Sequence, residues 1–194
     1  MKSCPFQSPS ERDPQIFDTD ECPKETSFEF LSKMKPAFKK DGVGTAGNAS
    51  IISDGASAVV VMSEAKAKEL GCTVMAEIGA QASYGINMKY VLMAPIYAIP
   101  KVLKKQGINA NDVDLFEINE AFAGTSAGIN KVLELDPEKV NVNGGSVSLG
   151  HPIGASGARV LTTLLYEMAK RDVKTGLASL CLGGGEAVAL VINR

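Results

Sequence analysis

Asn143-Gly144-Gly145-Ser146-Val147-Ser148-Leu149-Gly150-His151-Pro152-Ile153-Gly154-Ala155-Ser156-Gly157-Ala158-Arg159 lies between a strand-like run at 140–142 and a helical pattern at 160–170. Glycines at 144, 145, 150, 154 and 157 build a bend where a chain takes unusual backbone angles or comes close to something else. His151, the only histidine, sits in that bend. Ser156 is placed to cap the helix that follows, so backbone N–H groups face the neighbourhood of the imidazole. A lone imidazole on such a turn suits proton transfer at neutral pH, and equally suits a purely structural turn.

Working outward, the texture on both sides predicts an α/β domain. Residues 1–27 are polar, with prolines at 5, 9, 14 and 23, and read as an arm outside the core. A short helical turn is expected within 28–38, broken near Pro36. Residues 41–50 form a loop of glycine and small residues, able to lie against a ligand or to act as a linker. The apolar run 58–62 predicts a strand buried on both faces, and Ser63 a capped helix ending at Gly71. Further strands are expected at 74–80, 113–118, 140–142, 176–182 and 187–192. Helices are expected at 95–106, stopped by Gly107, then at 121–133 and 158–170. Gly183-Gly184-Gly185 joins the last two strands as a hairpin. Alternation of this kind predicts a mostly parallel sheet with an antiparallel pair at its end.

Composition narrows the function classes. The chain has 194 residues, 45% of them hydrophobic, and a net charge of −2, with no basic run beyond two residues. Nucleic acid and anionic membrane surfaces are therefore poor partners. No apolar stretch is long enough to span a bilayer, and the first residues lack the apolar core of a leader. Cys4, Cys22, Cys72 and Cys181 form no closely spaced pair, which points to reduced thiols, a cytoplasmic setting and no metal site.

Three polar residues fall at the ends of expected strands: Asn119, His151 and Cys181. Ligands of α/β sheets bind beyond the strand carboxyl ends. A thiol there can act as base or nucleophile, and the N–H groups of the triple glycine can hold an oxyanion. Taken singly, Cys181 also fits a small buried hydrophobe and Asn119 a helix cap. Their coincidence at strand ends favours a site.

These same residues carry a resemblance. Asn119-Glu120-Ala121-Phe122-Ala123, Asn143-Gly144-Gly145 with 150–159, and Cys181-Leu182-Gly183-Gly184-Gly185 resemble the C-terminal signature blocks of the thiolases, of the acetyl-CoA acetyltransferase type. Residues 45–50 and Asp54-Gly55-Ala56 extend the similarity. The resemblance implies a thiolase-like layered fold, with a mixed five-stranded sheet, helices on both faces and an N-terminal loop-region arm. It divides the chain into an arm and loop region at 1–56 (CoA-contacting at 45–50), a strand and helix of the family's N-terminal core at 57–73, and the C-terminal domain at 74–194.

The implied reaction condenses two acetyl-CoA to acetoacetyl-CoA and CoA, or reverses it by thiolysis, with CoA thioesters as substrates and no cofactor. The implied site places His151 as activator of a nucleophilic cysteine, Asn119 at the first oxyanion site, Cys181 as the α-proton base, and the Gly183 N–H at the second oxyanion site. Ser50 corresponds to a residue touching the pantetheine arm, Phe122 lines the acyl pocket, and Ala121 is a further substrate-binding residue. The family's nucleophile lies in an N-terminal half with no counterpart in this sequence, and Cys4, Cys22 and Cys72 do not stand in its setting. The expected partners are therefore a second copy or an N-terminal thiolase half. The alternative is an inactive truncated thiolase that binds CoA or assembles with another chain. Leu92-Met93-Ala94 and Glu186 depart from the family pattern, the first at the expected acyl pocket.

Overall fold

In the computed structural model, residues 6–7 and 16–194 are described; Cys4 and about half of the expected arm lie outside them. Ahead of the core, β1 (Phe6–Gln7) pairs antiparallel with β2 (Ile16–Phe17). Two short helices follow, α1 (Phe28–Ser32) and α2 (Glu64–Glu69). Each opens on a serine whose hydroxyl accepts a backbone N–H of the first turn, Ser27 from Phe30 and Ser63 from Lys66. Both are surface helices, and Ala67 is their only buried residue.

The core is one open mixed sheet. β3 (Glu77–Gly85) precedes α3 (Pro95–Gln106), which leads to β4 (Leu115–Ile118) and α4 (Ala123–Leu133). A single turn, α5 (Ser146–Leu149), and a long helix, α6 (Ser156–Arg171), then return the chain to β5 (Thr175–Leu182) and β6 (Glu186–Asn193). The strand order is β3-β6-β5-β4, with β4 and β5 parallel and the other two pairs antiparallel. The sheet is therefore less parallel than alternation predicts, because β3 joins the far edge of β6 instead of lying beside β4.

Both faces are covered. Ala98, Ile99 and Val102 of α3 and Ile129 of α4 bury one face against Phe116, Ile118, Leu177 and Val191. Val160, Leu164 and Met168 of α6 bury the other against Leu115, Ala178 and Ile192. Pro95 opens α3 and Gly107, at φ 79°, closes it, which matches the expected bounds. α6 touches β4 and β5, leaving an open groove of about 440 Å³ beside it over β3 and β6, lined by Gln81, Ser83, Leu161, Leu180, Val188 and Leu190.

Two expected strands are absent. The sheet has four strands, not five, because 140–142 makes only one parallel bridge, Phe116 to Val140. Asn141 turns away at φ 49°, and its side chain does the work of a strand neighbour. Its Oδ1 accepts from the Ile118 N–H and its Nδ2 donates to the Ile118 carbonyl, both at 2.8 Å. The second absence is 58–62, which belongs to no strand, with Val60 85% and Val61 66% exposed. Its apolar run has no sheet neighbour among the described residues, so it is not the buried strand expected.

Candidate active site

The C-terminal end of β4 is where the signature residues gather. Asn119 follows Ile118, is 3% exposed, and donates its backbone N–H to Ser179 on β5. It is not a helix cap: α4 begins four residues later, with Phe122 in the cap position. Its Oδ1 instead accepts the Ser146 hydroxyl at 2.6 Å. The next residue, Glu120, accepts the Val147 N–H at 3.2 Å and lies so close to Gly145 that a Cβ there would collide with its carboxylate. Two adjacent side chains of one signature block thus grip the first turn of α5, which carries the other block. Ala121 and Phe122 complete this edge by pairing with the 45–50 loop. Ser50 donates to the Ala121 carbonyl at 3.2 Å, Ala123 to Asn48 at 2.9 Å, and Phe122 meets Phe38 edge to face at 5.6 Å.

His151 sits after Gly150, whose φ of 98° lets the chain turn against Ser53. The His151 N–H donates to the Ile51 carbonyl at 2.7 Å, so the loop region pins this bend as well. Ser156 is the first residue of α6, not its cap; its hydroxyl donates to the Pro152 carbonyl at 3.0 Å. With that proton on the Pro152 carbonyl, which also accepts the Ala155 N–H at 2.7 Å, the contact between Ser156 Oγ and His151 Nδ1 at 2.7 Å is donated by Nδ1–H. Nε2 is left as the basic nitrogen. Burial, and then the positive charge of Arg159, push the imidazole below its ordinary pKa, which keeps it neutral and able to accept a proton.

Cys181 lies near the end of β5, opposite Ala187 on β6. The parallel register of Ile118 with Ser179 puts it at the same end of the sheet as Asn119. No hydrogen bond joins it to Asn119 or His151 among the described residues. Burial pushes its thiol up, opposed by its own backbone N–H. Beyond it, Gly185 at φ 95° closes the hairpin. Gly183 and Gly184 need no positive φ, and a Cβ at either would meet nothing within 4 Å. Cys22 and Cys72, half-buried and exposed respectively, are free thiols away from these contacts.

One polar pair lies behind the site and was not read from the sequence. Glu117, in the middle of buried β4, faces Arg159 of α6 at 3.7 Å. Burial pushes its carboxyl up to about 8, helped by Glu120 and Glu167 and opposed by Arg159. A lone acid in Leu115-Phe116-Glu117-Ile118, with an arginine closing the organising stretch, was the available signal. Among the described residues no group of three His, Cys, Asp or Glu side chains is arranged to hold a metal ion, and no helix is long and apolar enough to cross a membrane.

Comparison with known families now decides the assignment. The family model described as "Thiolase, C-terminal domain" matches residues 72–194, and "Thiolase, N-terminal domain" matches residues 2–65. The chain belongs to the thiolase family. Among thiolase relatives, the acetyl-CoA acetyltransferase of Allochromatium vinosum is 54% identical over 98% of the chain and 49% of its own length, and that of Pseudomonas aeruginosa 52% over the same shares. The crystal structure of the Bacillus anthracis acetyl-CoA acetyltransferase superposes with a TM-score of 0.93 at 46% identity, covering 98% of this chain and 48% of that one. Human mitochondrial 3-ketoacyl-CoA thiolase in complex with CoA superposes at 0.85, with 39% identity over 93% of this chain and 46% of that one. The chain thus spans about half the length of the thiolases it matches.

Proposed function

We propose that the chain carries the proton-transfer and oxyanion half of a thiolase site, acting in the condensation of two acetyl-CoA to acetoacetyl-CoA and CoA and in its reverse. The observation that carries this reading is that Asn119, locked through Ser146 to the turn of α5, and His151, two residues past that turn and bonded to Ile51, are both fixed by one stretch beside the end of β4. In the reaction, a cysteine thiol from outside these residues gives its proton to His151 Nε2. Its sulfur attacks the acetyl thioester, and CoA leaves with that proton. Asn119 and the imidazolium hold the oxyanion as it forms. Cys181, once deprotonated, takes the α-proton of the second acetyl-CoA, and the Gly183 N–H holds the enolate oxygen while its carbon attacks the acetyl-enzyme carbonyl. The bond to the nucleophilic cysteine breaks, and that thiolate takes the proton from Cys181, restoring it for the next turnover. The openness around Gly183 and Gly184 supports this, since a Cβ at either would meet none of the described residues within 4 Å. Ser50, paired with Ala121, faces CoA in this reading, and Phe122 the acyl group.

The partner supplying the nucleophile is an N-terminal thiolase half, in the cytoplasm; a further copy of this chain would join the assembly without supplying it. The division at 1–56, 57–73 and 74–194 follows the same reading. The test follows loss of acetoacetyl-CoA with free CoA. The purified chain should show none above background, and the chain with the N-terminal half of an acetyl-CoA acetyltransferase should turn over. His151→Ala or Cys181→Ala should abolish that turnover. Robust turnover by the chain alone would overturn the reading. The exposed 58–62 run favours a second reading, an inactive chain that binds CoA or assembles with a partner. CoA binding by calorimetry without turnover in any assembly would select it.

A further inference from the structure

Asn119 is useful at an oxyanion site only if its N–H₂, not its carbonyl, faces the substrate. The described contacts contain a device that decides which. Ser146, fully buried, stands between Asn119 and Arg159, with the Arg159 Nη2 at 3.4 Å from its Oγ and the Asn119 Oδ1 at 2.6 Å. A guanidinium has donors only, so it cannot accept the Ser146 proton. No other acceptor meets that hydroxyl among the described residues, and a buried hydroxyl proton left without one is costly. The proton therefore goes to Asn119 Oδ1. The carboxamide is fixed with its carbonyl inward, and Nδ2, which meets no acceptor among the described residues, is turned outward.

Glu117, on β4 two residues before Asn119, lies 3.7 Å from Arg159 Nη1, which with Nε meets no hydrogen-bond partner among the described residues, so the Ser146 hydroxyl is the polar group the guanidinium reaches. We infer that Arg159 and Ser146 are positioning residues, a one-way hydrogen-bond relay that sets the orientation of the Asn119 carboxamide and so presents two N–H donors to a thioester oxygen or its bridging water. This rests on the acyl-transfer reading for its purpose, but its geometry can be tested without activity.

Neutron diffraction from crystals of the unsubstituted, deuterium-exchanged chain should show the Ser146 deuteron on the line to Asn119 Oδ1. Deuterons between Asn119 Nδ2 and Ser146 Oγ would overturn the relay with no variant needed. In solution, Ser146→Ala should shift the Asn119 side-chain amide resonances and speed their exchange with solvent, and Ser146→Thr should restore both. Unchanged Asn119 signals in a folded Ser146→Ala chain would also overturn it. With a nucleophile-bearing half supplied, Ser146→Ala should lower kcat about tenfold or more with little change in KM, and Ser146→Thr should recover it. A Ser146→Ala assembly as fast as the unsubstituted one would refute the positioning role. If the unsubstituted assembly shows no turnover, the acyl-transfer reading fails, while diffraction and resonance shifts still decide the relay.

Discussion

At the scale of single residues, the site depends on which proton sits where. Since His151 is the only histidine, its imidazole nitrogens can be read by NMR without assignment. The bond to Ser156 predicts the Nδ1–H tautomer, and burial beside Arg159 predicts a titration midpoint below that of a free histidine. Because the folded-state value is depressed, the neutral ring favours the fold above the unfolded pKa, and that contribution is lost as acid forces the proton on. Ser156→Ala should mix the tautomers while leaving the backbone spectrum intact. An Nε2–H tautomer in the unsubstituted chain would contradict the proposed direction of proton transfer. His151 itself was legible from its glycine-built bend. The tautomer was not, because it depends on Ser156 bonding backwards to Pro152 instead of capping α6.

At the scale of elements, the substitution of a side chain for a strand has a measurable cost. Asn141→Ala would leave both polar groups of Ile118 without their partners at a buried strand end, a loss of about 1–3 kcal/mol in urea unfolding. A change near zero would mean that the amide pairing contributes little. The buried acids give a pH profile with two limbs. Glu117 has a folded value of about 8 against an ordinary 4.5, so stability is greatest below the ordinary value and falls as pH rises toward 8. Glu167 is held near 2, first by Asn143 and Arg171, so its contribution exists above 4.5 and disappears as pH falls toward 2. Glu117→Gln should flatten the alkaline limb and Glu167→Gln the acid limb. Exchange of those two outcomes would show the signs to be wrong. Helices α3 and α6 could be read from apolar periodicity and a stop glycine. The 140–142 strand was misread because an apolar-polar-apolar triplet carries no sign that Asn141 will enter the left-handed region. The Glu117–Arg159 pair was missed because it joins two elements that the sequence cannot place side by side.

At the scale of the whole molecule, the α/β class was legible from alternation, but the partners of its strands were not. Nothing in an apolar run such as 58–62 says which strand it meets, and among the described residues it meets none. Together with the groove beside α6, it leaves apolar surface of the sort that drives association. Sedimentation at tens of micromolar should show self-association, relieved when an N-terminal thiolase half is added. A monodisperse monomer without it would contradict the expectation. The strand order carries a consequence for synthesis as well. β6 is the latest strand in sequence, yet it lies inside the sheet between β5 and β3. While the ribosome is still making the chain, β3 waits with both edges bare through α3, β4, α4 and α6, until residues 186–193 emerge to be inserted beside it. Such long-range pairing forms slowly. β3 therefore stays a bare strand, open to pairing with other chains, over nearly the whole period of translation that follows it.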